Sequence, residues 1–234
     1  YALSLFSPLA SRMGWEQVKG EDHSHTFLRS LAISGAGSYG DKNIIKHAQK
    51  LFKDRVKNPI RADIRSTVYA IVAQNGTQKE WNLFKNLYLK EKMHEEQERY
   101  GRALAQFRDK KLLEQTLNFA ISKDVRTQDA PFMIGAVWGN IYGRDLTWKF
   151  IKRNYKIILK TWGEGGHFLS RLLSPLGTHA SIKDANDIKK FFKKNSAPGS
   201  ARTLEQAYEK IYSNASWIKS DKVKVKKWIN SNYK

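Results

Sequence analysis

Residues 203–218 read TLEQAYEKIYSNASWI, the clearest pattern in the chain. Apolar side chains recur there every three or four residues, which places them on one face of an α-helix. Thr203 and Gln206 have the spacing of a capping box and predict the start of that helix. The apolar positions are Leu204, Ala207, Tyr208, Ile211, Ala215 and Ile218.

The same pattern recurs along the chain, each time behind a residue type that caps helix N-termini. Glycine and proline separate the segments, and sustained two-residue alternation is nearly absent, so the sequence predicts an all-α protein. The predicted helix starts are Asp41, Thr77 with Glu80, Asp109, Asp145, and Ser181 with Asp184.

The intervals between these starts suggest an architecture. They measure 32 to 36 residues, and each interval has room for a second helix. Helix pairs at such a period are typical of α-solenoids, in which each pair covers its neighbour's apolar face. Because the repeats are only weakly similar, we expect one helical domain over residues 1–234, built as an irregular, HEAT-like superhelical stack of antiparallel helix pairs.

Composition narrows the class of protein. The 234 residues carry a formal net charge of +20, contain seven tryptophans and lack cysteine. The apolar content excludes a disordered basic tail, and the missing thiols exclude disulfide scaffolds and thiolate-bound metals. The charge permits nucleic-acid binding, but lysines interleaved with apolar helix positions are equally typical of a solvated surface. Trp217 and Trp228 are expected in the core rather than as base-stacking platforms.

Membrane insertion is not expected. The longest apolar stretch, residues 130–139, is about half of a membrane span. No signal peptide is visible, which together with the missing cysteines favours a cytoplasmic location. The first residue is Tyr1, so we expect a processed product or a piece of a longer protein.

The apparent catalytic motifs lack the structure or the residues that their chemistry requires. Gly35-Ala36-Gly37-Ser38-Tyr39-Gly40 matches the dinucleotide fingerprint, but it follows a helical pattern, so we expect a glycine-terminated helix and a loop to Asp41. His94-Glu95 begins a zinc-binding H-E-x-x-H, yet Glu98 occupies the second histidine position. A charged, solvated helix face including Glu96 is the better interpretation there. His23 and His25, beside Glu21 and Asp22, could supply metal ligands, but a helix start capped by Glu21 or Asp22 is the better interpretation.

Several short motifs, in order, resemble the C-terminal helical domain of the aminopeptidase N family of zinc metallopeptidases. No single motif is specific, but together they run from about Met13 to Trp228. They are Met13-Gly14-Trp15-Glu16, Gly40-Asp41, Arg61-Ala62-Asp63-Ile64-Arg65 with Val68-Tyr69, Val125-Arg126-Thr127-Gln128-Asp129, Gly143 to Phe150 with Asn154-Tyr155, Phe191-Phe192, Arg202 to Ala207, and Ser216-Trp217.

The resemblance implies an origin in a zinc aminopeptidase, without an active site in this chain. The family's H-E-x-x-H and Gly-x-Met-Glu-Asn motifs are missing, so zinc would belong to a separate catalytic domain. The family's helical domain is usually longer, and this chain resembles its later two-thirds or more. By the resemblance, the domain would close over the catalytic cleft and help to hold a peptide substrate.

The resemblance also implies site residues. The segment from Gly163 to Arg171 can face the cleft in the family, which makes Glu164, His167 and Arg171 substrate-proximal candidates; a loop joining packed helices is the alternative. Arg126 and Arg171 could bind a peptide's C-terminal carboxylate, although Arg126 could instead pair with Asp129. The competing function is a stand-alone basic α-solenoid that binds nucleic acid or an acidic protein.

Overall fold

The computed structural model describes residues 1–163 and 167–233. Within them the protein is all-α, as predicted, and contains no strand; no described helix is long and apolar enough to cross a membrane. The α-helices are α1 Ala2–Met13, α2 His23–Ser38, α3 Lys42–Asp54, α4 Ala62–Gln74, α5 Gln78–Lys90, α6 His94–Leu104, α7 Lys110–Ala120, α8 Ala130–Gly139, α9 Arg144–Trp162, α10 His167–Leu173, α11 Ile182–Lys194 and α12 Ala201–Asn232, with a 3-10 helix at Ser174–Thr178.

Most of the predicted caps are present. Asp22, Asp41 and Ser181 accept backbone N–H groups at the starts of α2, α3 and α11. Thr77 and Glu80 form a complete capping box. Two starts differ from the prediction, because α9 already begins at Arg144 and α12 at Ala201, both without a side-chain cap.

The chain forms two compact units, residues 1–112 and 113–234, and α7 contains the boundary between them. In the first unit, α4 packs against both α2 and α3. A cluster of aromatic rings fills its core, with ring centroids 4.9 to 6.4 Å apart. The single domain over residues 1–234 and its superhelical stacking stay predictions.

Two glycines of the motif have a packing role that the sequence does not predict, whereas the expected glycine after the helix is present. Gly35 and Gly37 lie inside α2, which ends at Ser38. A Cβ atom on Gly37 would lie 2.6 Å from the Ile71 side chain of α4, so glycine allows the two helices to approach closely. Gly40 follows the helix with a φ of +97°, a conformation that favours glycine.

In the second unit, tryptophans and leucines occupy the core. Trp138 of α8 stacks on Trp148 of α9 with ring centroids 6.3 Å apart, and Phe191 of α11 meets Trp148 edge-on. The prediction for two other tryptophans is wrong, since Trp217 and Trp228 are 59% and 52% exposed. Both lie on α12 beyond Ile211, its last buried residue.

Glu96 is not on a solvated face either, which corrects the interpretation of the His94-Glu95 segment. It is 7% exposed and accepts hydrogen bonds from Tyr69 at 2.6 Å, Arg65 at 2.9 Å and Arg99 at 2.8 Å. Burial raises the pKa of Glu96, but these hydrogen bonds outweigh it and leave the pKa below its ordinary value. The carboxylate therefore joins α4 to α6.

A second carboxylate holds the entry to α2. Glu21 and Arg29 form a bidentate pair whose side chains are only 5% and 1% exposed, and Arg29 also donates to the Met13 carbonyl at 3.3 Å. The hydrogen bonds from Arg29 and from the Val18 backbone lower the pKa of Glu21 to about 2. The segment between α1 and α2 is thereby tied to the core.

We expect Glu96→Ala to lower the free energy of unfolding by about 3 kcal/mol, because it leaves Arg65 and the buried Tyr69 hydroxyl without their shared acceptor. Urea unfolding at pH 7 measures the change. Glu98→Ala, which removes the exposed partner of Arg102, is the control and should cost under about 0.5 kcal/mol. Equal losses in the two variants would contradict the structural role of Glu96.

The Glu21 pair predicts a pH dependence. Because the pKa of Glu21 is lower in the folded protein than its ordinary value of 4.5, the pair stabilises the fold above pH 4.5 and loses that effect as the pH falls towards 2. The difference in unfolding free energy between the wild type and Glu21→Gln should therefore shrink across this window in urea titrations. Glu16→Gln, at a carboxylate 86% exposed, is the control, and an equal effect in that variant would refute the prediction.

Candidate functional surface

The loop before α8 carries the first candidate. Arg126 is half exposed, and its Nε atom lies 3.8 Å from the Asp129 carboxylate, so the pairing expected from the sequence is present. The Trp162 indole N–H, at the end of α9, donates to the Thr127 carbonyl at 2.9 Å. This bond fixes the loop against a buried aromatic side chain, while the guanidinium of Arg126 stays accessible.

Arg171 lies on α10, whose inner side is anchored by buried leucines at 169, 172 and 173. Its guanidinium carbon is 5.6 Å from the centroid of the Phe132 ring, which belongs to the first turn of α8 and is 44% exposed. His167 is exposed at the start of α10. Glu164 lies outside the described residues.

Each arginine is connected to the start of α8, Arg126 through the chain and Arg171 through a ring contact. Arg126 belongs to the loop that leads into the helix, and Arg171 contacts the phenylalanine of its first turn. We call Arg126, Phe132, His167 and Arg171 the α8 surface. Two guanidinium groups can bind a carboxylate through paired N–H donors, and an exposed aromatic ring provides an apolar contact beside them.

A buried histidine, His179, stabilises the second unit, and the sequence alone does not reveal this role. His179 is 2% exposed; its Nε2 atom is 3.4 Å from the Trp138 indole nitrogen, which donates to it, and its Nδ1 atom is 3.6 Å from Asp184. Burial lowers the pKa of His179, which favours the neutral ring that this acceptor role requires. The side-chain amide of Asn214 donates to the Gly177 and His179 carbonyls at 3.0 Å each.

His179 thus joins α8, α11 and α12, which is a structural role. Its only local signal is the Ser181 cap two residues later, whereas its partners Trp138 and Asn214 are more than 30 residues away. Among the described residues, including His179, no group of three or more His, Asp or Glu side chains could hold a metal ion. His25 instead lies 3.3 Å from Asp22, the cap of its own helix.

Comparison with known proteins identifies the family of this chain. The family model of the ERAP1-like C-terminal domain matches residues 1–213. The chain is 30% identical to Aminopeptidase M1 of Arabidopsis thaliana over 95% of its own length and 26% of that protein. It is 30% identical to human Aminopeptidase N over 94% of the chain and 24% of that protein. It is 27% identical to the yeast protein Aminopeptidase 2, mitochondrial, over 99% of the chain and 25% of that protein.

The chain spans about a quarter of the length of these curated relatives. The resemblance to the aminopeptidase N family, drawn above from ordered short motifs, is confirmed by a match that covers most of the chain. The chain therefore belongs to the ERAP1-like C-terminal domain family and corresponds to a C-terminal domain of aminopeptidase N-like proteins.

Proposed function

We propose that this chain serves as the part of an aminopeptidase that closes over the catalytic cleft, and that its α8 surface contacts the peptide substrate. The observation that carries the proposal is the position of Arg171 against the exposed Phe132 beside the loop of Arg126. Such a combination suits a peptide end, because the arginines can bind its carboxylate and the ring can contact a neighbouring side chain.

The α8 surface is suited to selecting rather than cleaving. Arginine keeps its charge throughout the physiological pH range and offers no proton for general acid catalysis, whereas its planar fork matches a carboxylate. Asp129 competes with the substrate for Arg126, since the ion pair spans 3.8 Å. Arg171 is therefore the stronger carboxylate ligand of the two, and the other sequence-based candidates, His167 and Glu164, stay predictions.

The hydrolytic chemistry belongs, in this proposal, to a catalytic domain outside the chain. Zinc in that domain would polarise the scissile carbonyl and activate water, and the described residues of this chain present no competing group of ligands. This chain would contribute by binding the peptide and excluding water from the closed cleft. A cytoplasmic location forms part of the proposal, supported by the missing cysteines.

The purified chain should show no zinc-dependent aminopeptidase activity. Release of p-nitroaniline from leucine p-nitroanilide, measured with and without added Zn²⁺, should stay at the blank rate, because the groups proposed to act on the substrate bind it without activating water. Robust turnover by the chain alone would refute the division of labour.

In the full-length enzyme that contains this chain, Arg171→Ala should raise KM for a peptide with a free C-terminus about fivefold with little change in kcat. An amidated peptide should lose the dependence, because it lacks the carboxylate. Arg126→Ala should have a smaller effect, since Asp129 already engages that side chain. Arg102→Ala, at an exposed arginine of the first unit, is the control.

Equal KM changes for the free and the amidated peptide would show that Arg171 does not bind the carboxylate. Nucleic-acid binding by the basic surface is the competing function, and a salt titration separates the two. Duplex DNA or RNA bound tightly at physiological salt would favour that competing function over peptide selection.

A further inference from the structure

Helix α12 carries an apolar stripe that is covered in its first half and exposed in its second half. Leu204, Ala207 and Ile211 are buried, and α12 packs there against the 3-10 helix and α11. On the same helix face, seven residues apart, follow Ile218 and Val225, which are 37% and 40% exposed. The residues of this second half, which we call the α12 seam, are the exposed Trp217, Ile218, Val225 and Trp228 and the half-buried Ile229.

The covered half ends at Asn214, whose amide donates to two carbonyls of the body. Beyond that residue, the side chains of Ser220, Ser231 and Asn232 donate to carbonyls of α12 itself. The α12 seam therefore continues an interface in which helices of this unit already pack on the same face. Continuation of one heptad stripe favours another helix as its cover.

Charges beside the α12 seam restrict the chemistry of that helix. Lys222 and Lys224 flank it on either side, at the heptad positions that face a partner helix's own flanks. Three further exposed lysines lie nearby, at 219, 226 and 227. Residues 217–233 contain a single acid, Asp221, whose carboxylate lies 3.4 Å from Lys224. Glutamate or aspartate on the partner's flanks would complement this surface.

Asp221 also distinguishes between kinds of partner. It lies on the seam face between Ile218 and Val225, where a bilayer would have to bury its carboxylate at high cost. A polar group in a helix–helix seam is tolerated and fixes the register when the partner presents a donor. A second copy of this chain would place lysines against lysines, and a nucleic acid would leave the apolar stripe uncovered.

We propose that the α12 seam is a docking site for an acidic amphipathic helix of a partner protein. That helix would present apolar residues on the seam, acidic residues beside Lys222 and Lys224, and one hydrogen-bond donor opposite Asp221. The docking mode is the helix-in-groove recognition that uses anchors three, four and seven residues apart.

Two synthetic peptides of three heptads test the proposal on the full chain. Both carry leucine on the apolar stripe and one asparagine in it, but the flanking positions hold glutamate in one peptide and lysine in the other. By fluorescence anisotropy, the glutamate peptide should bind at least about tenfold more tightly. The double variant Lys222→Glu with Lys224→Glu should reverse the preference, while Ile218→Ser with Val225→Ser should weaken both complexes.

Lys156→Glu with Lys160→Glu on α9 is the matched control, since it changes the net charge equally at two exposed lysines away from the seam. It should leave the preference between the peptides in place. Equal affinity for the two peptides, or a reversal in the α9 control as well, would overturn the proposal. Tighter binding to phosphatidylserine vesicles, or a dimer that Ile218→Ser abolishes in sedimentation equilibrium, would assign the seam to lipid or to a second copy and would overturn it too.

Discussion

The contact between the Trp138 indole and the buried ring of His179 is the interaction on which the second unit depends. It requires a neutral histidine, because the Nε2 atom accepts a hydrogen bond from the indole N–H. The same short segment offers its backbone carbonyls to Asn214, so one buried turn holds α8 and α12 together. The α8 surface and the α12 seam are both carried by helices that this turn positions.

This arrangement explains how one rigid core can present two different surfaces. The first turn of α8 is fixed behind Phe132 by the burial of Met133, Ile134 and Trp138, which leaves the phenylalanine itself outside. In α12 the buried half similarly determines the direction of the exposed half, because an α-helix keeps its apolar stripe in register over many turns. Exposed apolar residues on such well-anchored helices are available for contacts with other molecules.

Features that depend on neighbouring residues, such as helix caps, could be predicted from the sequence. The capping residues Asp41 and Thr77 were identified because a cap and its helix are neighbours in the chain. The burial of Glu96 and His179 does not follow from the sequence, because Tyr69 and Trp138, which bond to them in the interior, lie 27 and 41 residues away on other helices. Trp217 looked like a core residue because periodicity identifies an apolar face without showing whether anything covers it. For the same reason, the contact between Arg171 and Phe132 was not predictable.

Arginine and lysine have different roles in this chain. The buried carboxylates of Glu21 and Glu96 are both paired with arginines, whose planar fork can satisfy two oxygens in a dry environment. The lysines beside the α12 seam lie on the exposed half of the helix, where a flexible ammonium group stays solvated and still favours an acidic neighbour. A high net charge therefore does not by itself indicate nucleic-acid binding in this chain. In the two proposals, Arg126 and Arg171 bind a carboxylate, whereas Lys222 and Lys224 select the partner helix.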